Sequence, residues 1–221
     1  MINIIQVGTG GTGGHLVHFL APCVFYNEEV KYLLVDGDIV EEKNIARQNF
    51  TYNDIGYYKS EVLGKRYNTQ YLTEFLTEEL LEKCLDATAD NVILGCVDKV
   101  ETRLMIDAFL KQNKQKYNAV YIDGGNTDRN AQVVIYDYVV NEGVDITEYF
   151  KEVRDEDLKT ASCSELGDQT IQANMMSATY ICTNVCHYIR NRHVGTKRKT
   201  FKNYKFIITP RIVSILKGVE E

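Results

Sequence analysis

The residues Gly8-Thr9-Gly10-Gly11-Thr12-Gly13-Gly14 contain G-x-G-x-x-G between a short β-branched run and a helix-compatible one. Glycine at such positions permits positive φ and removes side chains, so backbone N–H groups and the N-terminus of the next helix can approach a phosphate. Gly8, Gly10, Gly11 and Gly13 are therefore candidate contacts for a nucleotide. Twenty-three residues beyond Gly13, Asp36 ends a second apolar run (KYLLVD), where a carboxylate can accept hydrogen bonds from a ribose diol. Turn and carboxylate together point to a nucleotide without saying which reaction uses it. A glycine turn with no ligand is the plainer alternative.

The discriminating stretch follows directly: D-G-D-I-V-E-E-K-N-I-A-R-Q over residues 36–48. A dehydrogenase needs one acidic residue here and normally proceeds into a helix. This chain instead spends a dozen residues on a loop carrying Asp38, Asn44, Arg47 and Gln48, and adds I-G-Y-Y-K at 55–59 before its next helix. With C-V-D at 96–98 and Arg103, these pieces run in order across residues 8–103. Together they resemble the ThiF/MoeB superfamily of ATP-dependent adenylating enzymes, which includes the ubiquitin-activating enzymes.

The resemblance implies that the C-terminal carboxylate of a ubiquitin-like or sulfur-carrier protein, or of a small peptide, attacks the α-phosphate of ATP. An acyl-adenylate and pyrophosphate result. It also implies that Gly10 and Gly13 shape the phosphate turn and that Asp36 holds the ribose. Asn44, Arg47 and Lys59 would contact the triphosphate, with Gln48 beside them. Asp98 would hold Mg²⁺ between phosphates, a task suited to a hard carboxylate oxygen. Plainer readings stay open: Arg47 and Lys59 as surface cations, Asp98 as a helix cap before Val100, Asn44 as a turn cap, Asp38 as turn chemistry, Arg103 as the partner of a carboxylate.

Cys163 lies in T-A-S-C-S-E-L-G, a small polar loop ahead of a long helix, where a thiol pKa can be lowered. In several relatives a cysteine at this point takes the activated carrier as an acyl disulfide or thioester; the alternative is a loop thiol with no chemical task. Many relatives also carry two C-x-x-C pairs that hold zinc. This chain has no C-x-x-C, so no structural zinc is expected, and Cys182 and Cys186, four apart, are expected to pack on one helical face. Relatives often place a helix before the first strand, supplying an arginine to the neighbouring protomer; here the strand starts almost at Met1, and Arg129 in G-G-N-T-D-R is a candidate replacement. Lys99 stands where an asparagine is usual, close to the magnesium position. A homodimer is expected, since relatives are usually two-fold dimers.

The elements that must position these residues alternate through the first half. Strands are predicted at Asn3–Val7, Lys31–Asp36, Tyr71–Phe75, Asn91–Val97 and Ala119–Asp123, and helices at Thr12–Leu20, Ser60–Gln70, Glu78–Leu85 and Glu101–Lys111. Then come a long β-rich run at Gln132–Val140, one long helix at Gln172–Ile189 and a late strand at Tyr204–Thr209. The expected class is α/β: a Rossmann-like, mostly parallel sheet with helices on both faces, extended by C-terminal antiparallel strands. Residues 1–221 are expected to form one adenylation domain, with 1–125 as its nucleotide-binding half and 126–221 supplying the sheet extension, the long helix and a carrier-facing region.

Composition excludes several classes. In 221 residues with net charge −6, 44% are hydrophobic and 25% charged, which places the chain among globular proteins and not disordered or coiled-coil ones. No apolar run approaches the ~18 residues that span a bilayer, no signal peptide is recognisable, and a cytoplasmic location is expected. Six scattered cysteines in such a chain read as reduced thiols. The acidic balance makes nucleic acid an unlikely partner. One basic stretch, Arg190 to Lys205, is either a docking surface for an acidic carrier or a solvated loop. Two further functions stay open: an NAD-dependent oxidoreductase on the same nucleotide fold, and a non-catalytic scaffold subunit of a two-chain activating enzyme.

Overall fold

The computed structural model describes residues 1–126, 130–152, 170–193, 204–208 and 213–216. The first strand, β1 (Ile2–Val7), is buried along its whole length because both of its faces are covered. Ile2 and Ile4 face one apolar layer and Ile5 and Val7 the other, as the two-residue period of a strand requires. Helix α1 (Gly11–Val24) lays Leu16, Val17, Leu20, Ala21 and Val24 into the first layer, at i, i+4 spacing. β2 (Val30–Val35), α2 (Lys59–Tyr67), β3 (Gln70–Leu72), α3 (Glu78–Cys84), β4 (Asp90–Gly95), α4 (Val100–Gln112) and β5 (Asn118–Asn126) complete the alternating half.

β1 to β5 are parallel, in the order β3-β2-β1-β4-β5. The chain then adds β6 (Asn130–Asp137), antiparallel to β5, followed by β8 (Tyr204–Ile208) and β9 (Val213–Leu216) on the same sheet; β7 (Glu142–Gly143) pairs with β6. Between them lie α5 (Ile146–Glu152) and a long α6 (Ile171–His193). Leu63 of α2 and Ala178, Ile181, Val185 and Tyr188 of α6 join α1 on one face of the sheet. Leu81 of α3, Ile106 and Leu110 of α4 and Phe150 of α5 cover the other. Each large aliphatic buried this way contributes about 1.5–3 kcal/mol. The expected α/β architecture is thus the observed one, with helices on both faces. Among the described residues, no helix is long and apolar enough to cross a membrane.

Element ends differ from expectation for local reasons. α2 stops at Tyr67, short of Gln70, because Asn68 adopts φ +53° and caps it through an N–H to the Gly64 carbonyl. β3 ends at Leu72 because its partner β2 ends opposite, at Val35, so Phe75 lies in a loop and not in the predicted strand. β4 ends at Gly95 for the same reason: β1 runs out at Val7. β6 closes at Asp137 and not Val140. Helix α5 has no counterpart among the predicted elements; Glu142, Asp145, Glu148 and Glu152 make its segment acidic, yet Ile146 and Phe150 are buried.

Candidate active site

A cleft of about 620 Å³ opens at the C-terminal ends of β1, β2 and β4, where the strand order reverses between β1 and β4. Open α/β sheets bind ligands at such a switch point, and this volume suits a nucleotide. The glycine turn forms its floor. Gly8 adopts φ +91°, and a Cβ there would lie 2.6 Å from the Cys96 carbonyl oxygen, so the turn closes against the end of β4 only with glycine. Gly13 packs against the Gly8 carbonyl and shapes the turn without lining the cleft. Gly11 lies against the Asn174 side chain. A Cβ at Gly10 would meet nothing nearer than Gln48 Nε2 at 3.7 Å, so protein packing does not forbid a side chain; the space it would fill is the cleft. The first turn of α1 carries no acidic residue, which keeps the helix N-terminus receptive to an anion.

Two polar side chains fix this turn. Gln6 Nε2 donates to the carbonyls of Gly8 and Gly13, both at 3.0 Å. Asp36 Oδ2 accepts from the Thr9 N–H at 2.6 Å and the Thr9 hydroxyl at 2.8 Å, and Oδ1 accepts from the Asp38 N–H at 2.9 Å. Burial pushes the Asp36 carboxyl above its ordinary pKa, against the opposing pull of those N–H and hydroxyl donors and of Lys59. Asp36 lines the cleft, where a ribose diol can donate to it.

The loop after β2 brings Asp38, Asn44, Arg47 and Gln48 to the same cleft, and the start of α2 adds Lys59. Asn44 is buried; its Oδ1 accepts from the Glu41 N–H at 2.9 Å, closing a capping box around a single 3-10 turn. The plainer reading of Asn44 as a turn cap therefore holds for its oxygen, while its amide nitrogen stays a donor for a ligand. Gln48 Oε1 is buried without a partner among the described residues. Lys59 Nζ sits 3.1 Å from Asp38 Oδ2, and the Lys59 N–H donates to the Asp38 carbonyl at 2.9 Å. Asp38 is thus more than turn chemistry: it pairs with the lysine in the cleft lining.

Beyond β4, Asp98 is exposed on the cleft wall and makes no hydrogen bond or ion pair with the described residues. It does not cap α4, whose N-cap is Lys99 with no side-chain cap bond. A carboxylate left unpaired in this way, beside a phosphate-type turn, is a donor set that fits a hard divalent cation. Lys99, also in the cleft lining, places its Nζ over the Phe75 ring, 5.8 Å from its centroid. Arg103 donates to Asp123 at 2.6 Å and to the carbonyls of Val97 and Gly124, tying the loop that carries Asp98 to β5. The carboxylate-partner reading of Arg103 is the observed one. Cys96 is half-buried, and its thiol is pushed well up by desolvation and then by Asp123, against the pull of Arg103, which disfavours the reactive thiolate.

A model of the ThiF family matches residues 2–213. The chain belongs to the ThiF family. Among solved structures, E. coli MccB with AMPCPP and MccA aligns with TM-score 0.70 at 16% identity, over 99% of this chain and 64% of that one. E. coli MccB with ATP aligns with TM-score 0.68 at 17% identity over 97% and 63%. PaaA aligns with TM-score 0.63 at 18% identity over 99% and 64%. At these identities the likeness is one of fold, and this ThiF-family chain spans less than two thirds of those chains. No curated protein matches the sequence.

Of the residues singled out in this ThiF-family sequence, Gly8, Gly10, Gly11, Asp36, Asp38, Asn44, Arg47, Gln48, Lys59 and Asp98 meet in the one cleft, and Gly13 supports it from behind. Cys163 and Arg129 lie outside the described residues, as does most of the basic stretch after Arg190. Two contributors carry no signal in the sequence. Phe75 lies on the cleft rim, its ring exposed against Gly37 next to Asp36. Asn174, in the first turn of α6, accepts through Oδ1 from Thr12 and Asn126. Its partners are 162 and 48 residues away, so no local pattern marks it.

Proposed function

We propose that this ThiF-family chain binds ATP in the cleft and adenylates the C-terminal carboxylate of a peptide or of a ubiquitin-like or sulfur-carrier protein. The observation that carries this reading is the convergence, on one cleft, of the glycine turn with Asn44, Arg47, Lys59 and Asp98, the last unpaired among the described residues. An oxidoreductase would use the turn and Asp36 and leave that set of cations and amides without a task. Solved structures of MccB with ATP and with MccA are consistent with a nucleotide and a peptide partner.

In this reading the carboxylate oxygen attacks the α-phosphorus, the bond from that phosphorus to the bridging oxygen breaks, and pyrophosphate leaves with both electrons. The protein's task is to position the phosphates and neutralise their charge. The turn N–H groups and the α1 N-terminus hold phosphate oxygens, Asn44 donates through its amide, and Arg47 and Lys59 offset the charge on the departing pyrophosphate. Asp36 accepts from the ribose hydroxyls, and the Phe75 ring lies where the base would extend beyond the ribose. Asp98 would hold Mg²⁺, which supplies further neutralisation of the phosphate oxygens. The full stretch 1–221 acts as one adenylation domain, a homodimer in the cytoplasm, with 126–221 meeting the carboxylate substrate. Cys163 is the acceptor thiol if a second transfer follows, and the basic stretch from Arg190 is the docking face for an acidic carrier.

The test is carrier- or peptide-dependent exchange of labelled pyrophosphate into ATP, together with calorimetry of ATP and NAD. Exchange that requires the substrate supports the assignment. Absence of exchange with no ATP binding, or tighter binding of NAD than ATP, overturns it.

A further inference from the structure

Three cysteines, one of them far in sequence from the other two, meet on the side of the molecule away from the strand ends that form the cleft. Cys23 lies near the end of α1, and Cys182 and Cys186 lie one turn apart on α6, where α6 packs along α1. Their sulfur atoms all lie within 4.8 Å of one another, and Cys182 Sγ is 3.9 Å from Cys186 Sγ. We propose that Cys23, Cys182 and Cys186 form a binding site for a thiophilic d10 cation, zinc(II) or copper(I), at the α1–α6 seam.

The geometry carries this. With metal–sulfur bonds of about 2.3 Å, sulfurs bound to one ion stand about 3.8 Å apart in a tetrahedron and about 4.0 Å apart in a trigonal plane. The Cys182–Cys186 separation already matches, and the largest separation needs to close by less than about 1 Å. That closure falls to Cys23, whose exposed side chain can turn; Cys182 is buried and Cys186 half-buried. Thiolate ligands select these cations over magnesium or calcium. The fourth position, on the exposed Cys23 side, opens to solvent. The Arg190 cation acts electrostatically on Cys186, so the charge of bound thiolates has a local counter-ion.

The expectation of no zinc rests on the lack of C-x-x-C pairs, and that lack stands. A site assembled from one cysteine on α1 and an i, i+4 pair on α6 does not need them. Such an ion would clip α1, which begins at the glycine turn, to α6, whose first turn carries Asn174 beside that turn.

The experiment titrates zinc(II), and separately copper(I), into the full-length, reduced, metal-free protein in competition with a chromophoric chelator, and follows alkylation of each cysteine by mass spectrometry. One equivalent of at least one ion is expected, with Cys23, Cys182 and Cys186 protected together and the thermal midpoint raised. Cys23→Ser, at an exposed position that leaves the core intact, should weaken binding at least tenfold, and Cys84→Ser should leave it unchanged. Binding of neither ion at micromolar concentration, or affinity and protection that survive Cys23→Ser, overturns the site.

Discussion

Lys59 Nζ lies 3.1 Å from Asp38 Oδ2, with the lysine side chain buried and the aspartate open to solvent. A pair with one exposed partner contributes little stability, on the order of 0–1 kcal/mol. Its value is positional: it fixes the end of a long, flexible side chain in the lining of the cleft. Replacement by Lys59→Met keeps the hydrocarbon and removes the charge. Calorimetry should then show ATP affinity reduced by about 10- to 100-fold, as expected for losing a charge-assisted hydrogen bond of ~1.5–3 kcal/mol, with unchanged circular dichroism. Asp38→Asn should weaken ATP binding less than Lys59→Met; the reverse order would mean that the aspartate itself touches the ligand.

Gly8 and Gly10 should separate folding from binding. A methyl at Gly8 meets the Cys96 carbonyl at 2.6 Å on a backbone with φ +91°, so Gly8→Ala should destabilise the fold by several kcal/mol, read as a sharply lower denaturant midpoint. Gly10→Ala meets only Gln48 at 3.7 Å, and should fold while losing at least tenfold in ATP affinity, because its methyl enters the space for the phosphates. Unaltered ATP affinity in folded Gly10→Ala would move the phosphates elsewhere.

Asp98 makes no hydrogen bond or ion pair with the described residues that its loss could break. Asp98→Asn should therefore leave the thermal midpoint within about 0.5 kcal/mol of equivalent stability. Pyrophosphate exchange should fall on the order of 100-fold or more, in keeping with the several kcal/mol a metal ion supplies to phosphoryl chemistry. ATP affinity should likewise fall in the presence of magnesium, and that loss should shrink when magnesium is left out. An equal loss with and without the ion would make Asp98 a direct nucleotide contact.

Arg103 and Asp123 form a pair whose aspartate is fully buried. Removing the cation by Arg103→Met strands that charge and should cost about 3–5 kcal/mol, with most of it recovered by adding Asp123→Asn. Burial already holds the Asp123 carboxyl above its ordinary pKa despite Arg103. A carboxyl whose folded pKa exceeds its unfolded one binds its proton more tightly in the native state, so stability falls as pH rises from about 4 through the folded pKa. Without Arg103 that window should widen upward. Urea melts of Arg103→Met should show a deficit growing from pH 5 to pH 8, and a pH-independent deficit would assign the loss to packing.

Phe75 offers an exposed ring beside the proposed ribose position. Phe75→Ala should weaken ATP binding by about 1–3 kcal/mol if the base stacks there, and should leave binding of inorganic pyrophosphate unaltered. A variant with full ATP affinity would place the base elsewhere on the rim.

Much of the fold is legible in the sequence where one local rule decides it. The β-branched run before Gly8, the i, i+4 apolar spacing of α1 and the polar loop 36–48 each carry their structure in neighbouring residues. Features set by distant partners are not legible this way. β3 ends where β2 does, which no residue near Phe75 announces. Asn174 reaches the cleft through Thr12 and Asn126, and Cys23 meets Cys186 through the packing of two helices. α5 is hidden because Asp145 and Glu148 read as charge, whereas Asp145 is in fact fixed 2.6 Å from Lys111 and the helix buries Ile146 beneath it.

Gln6 sits in the middle of this hierarchy: a fully buried amide in β1 that accepts from the Tyr32 hydroxyl and donates to two carbonyls of the glycine turn. Backbone that would otherwise sample many conformations is locked before any ligand arrives, so its conformational entropy is surrendered during folding and not at each encounter. A phosphate then meets a finished cradle, and its binding can proceed without waiting for the loop to order.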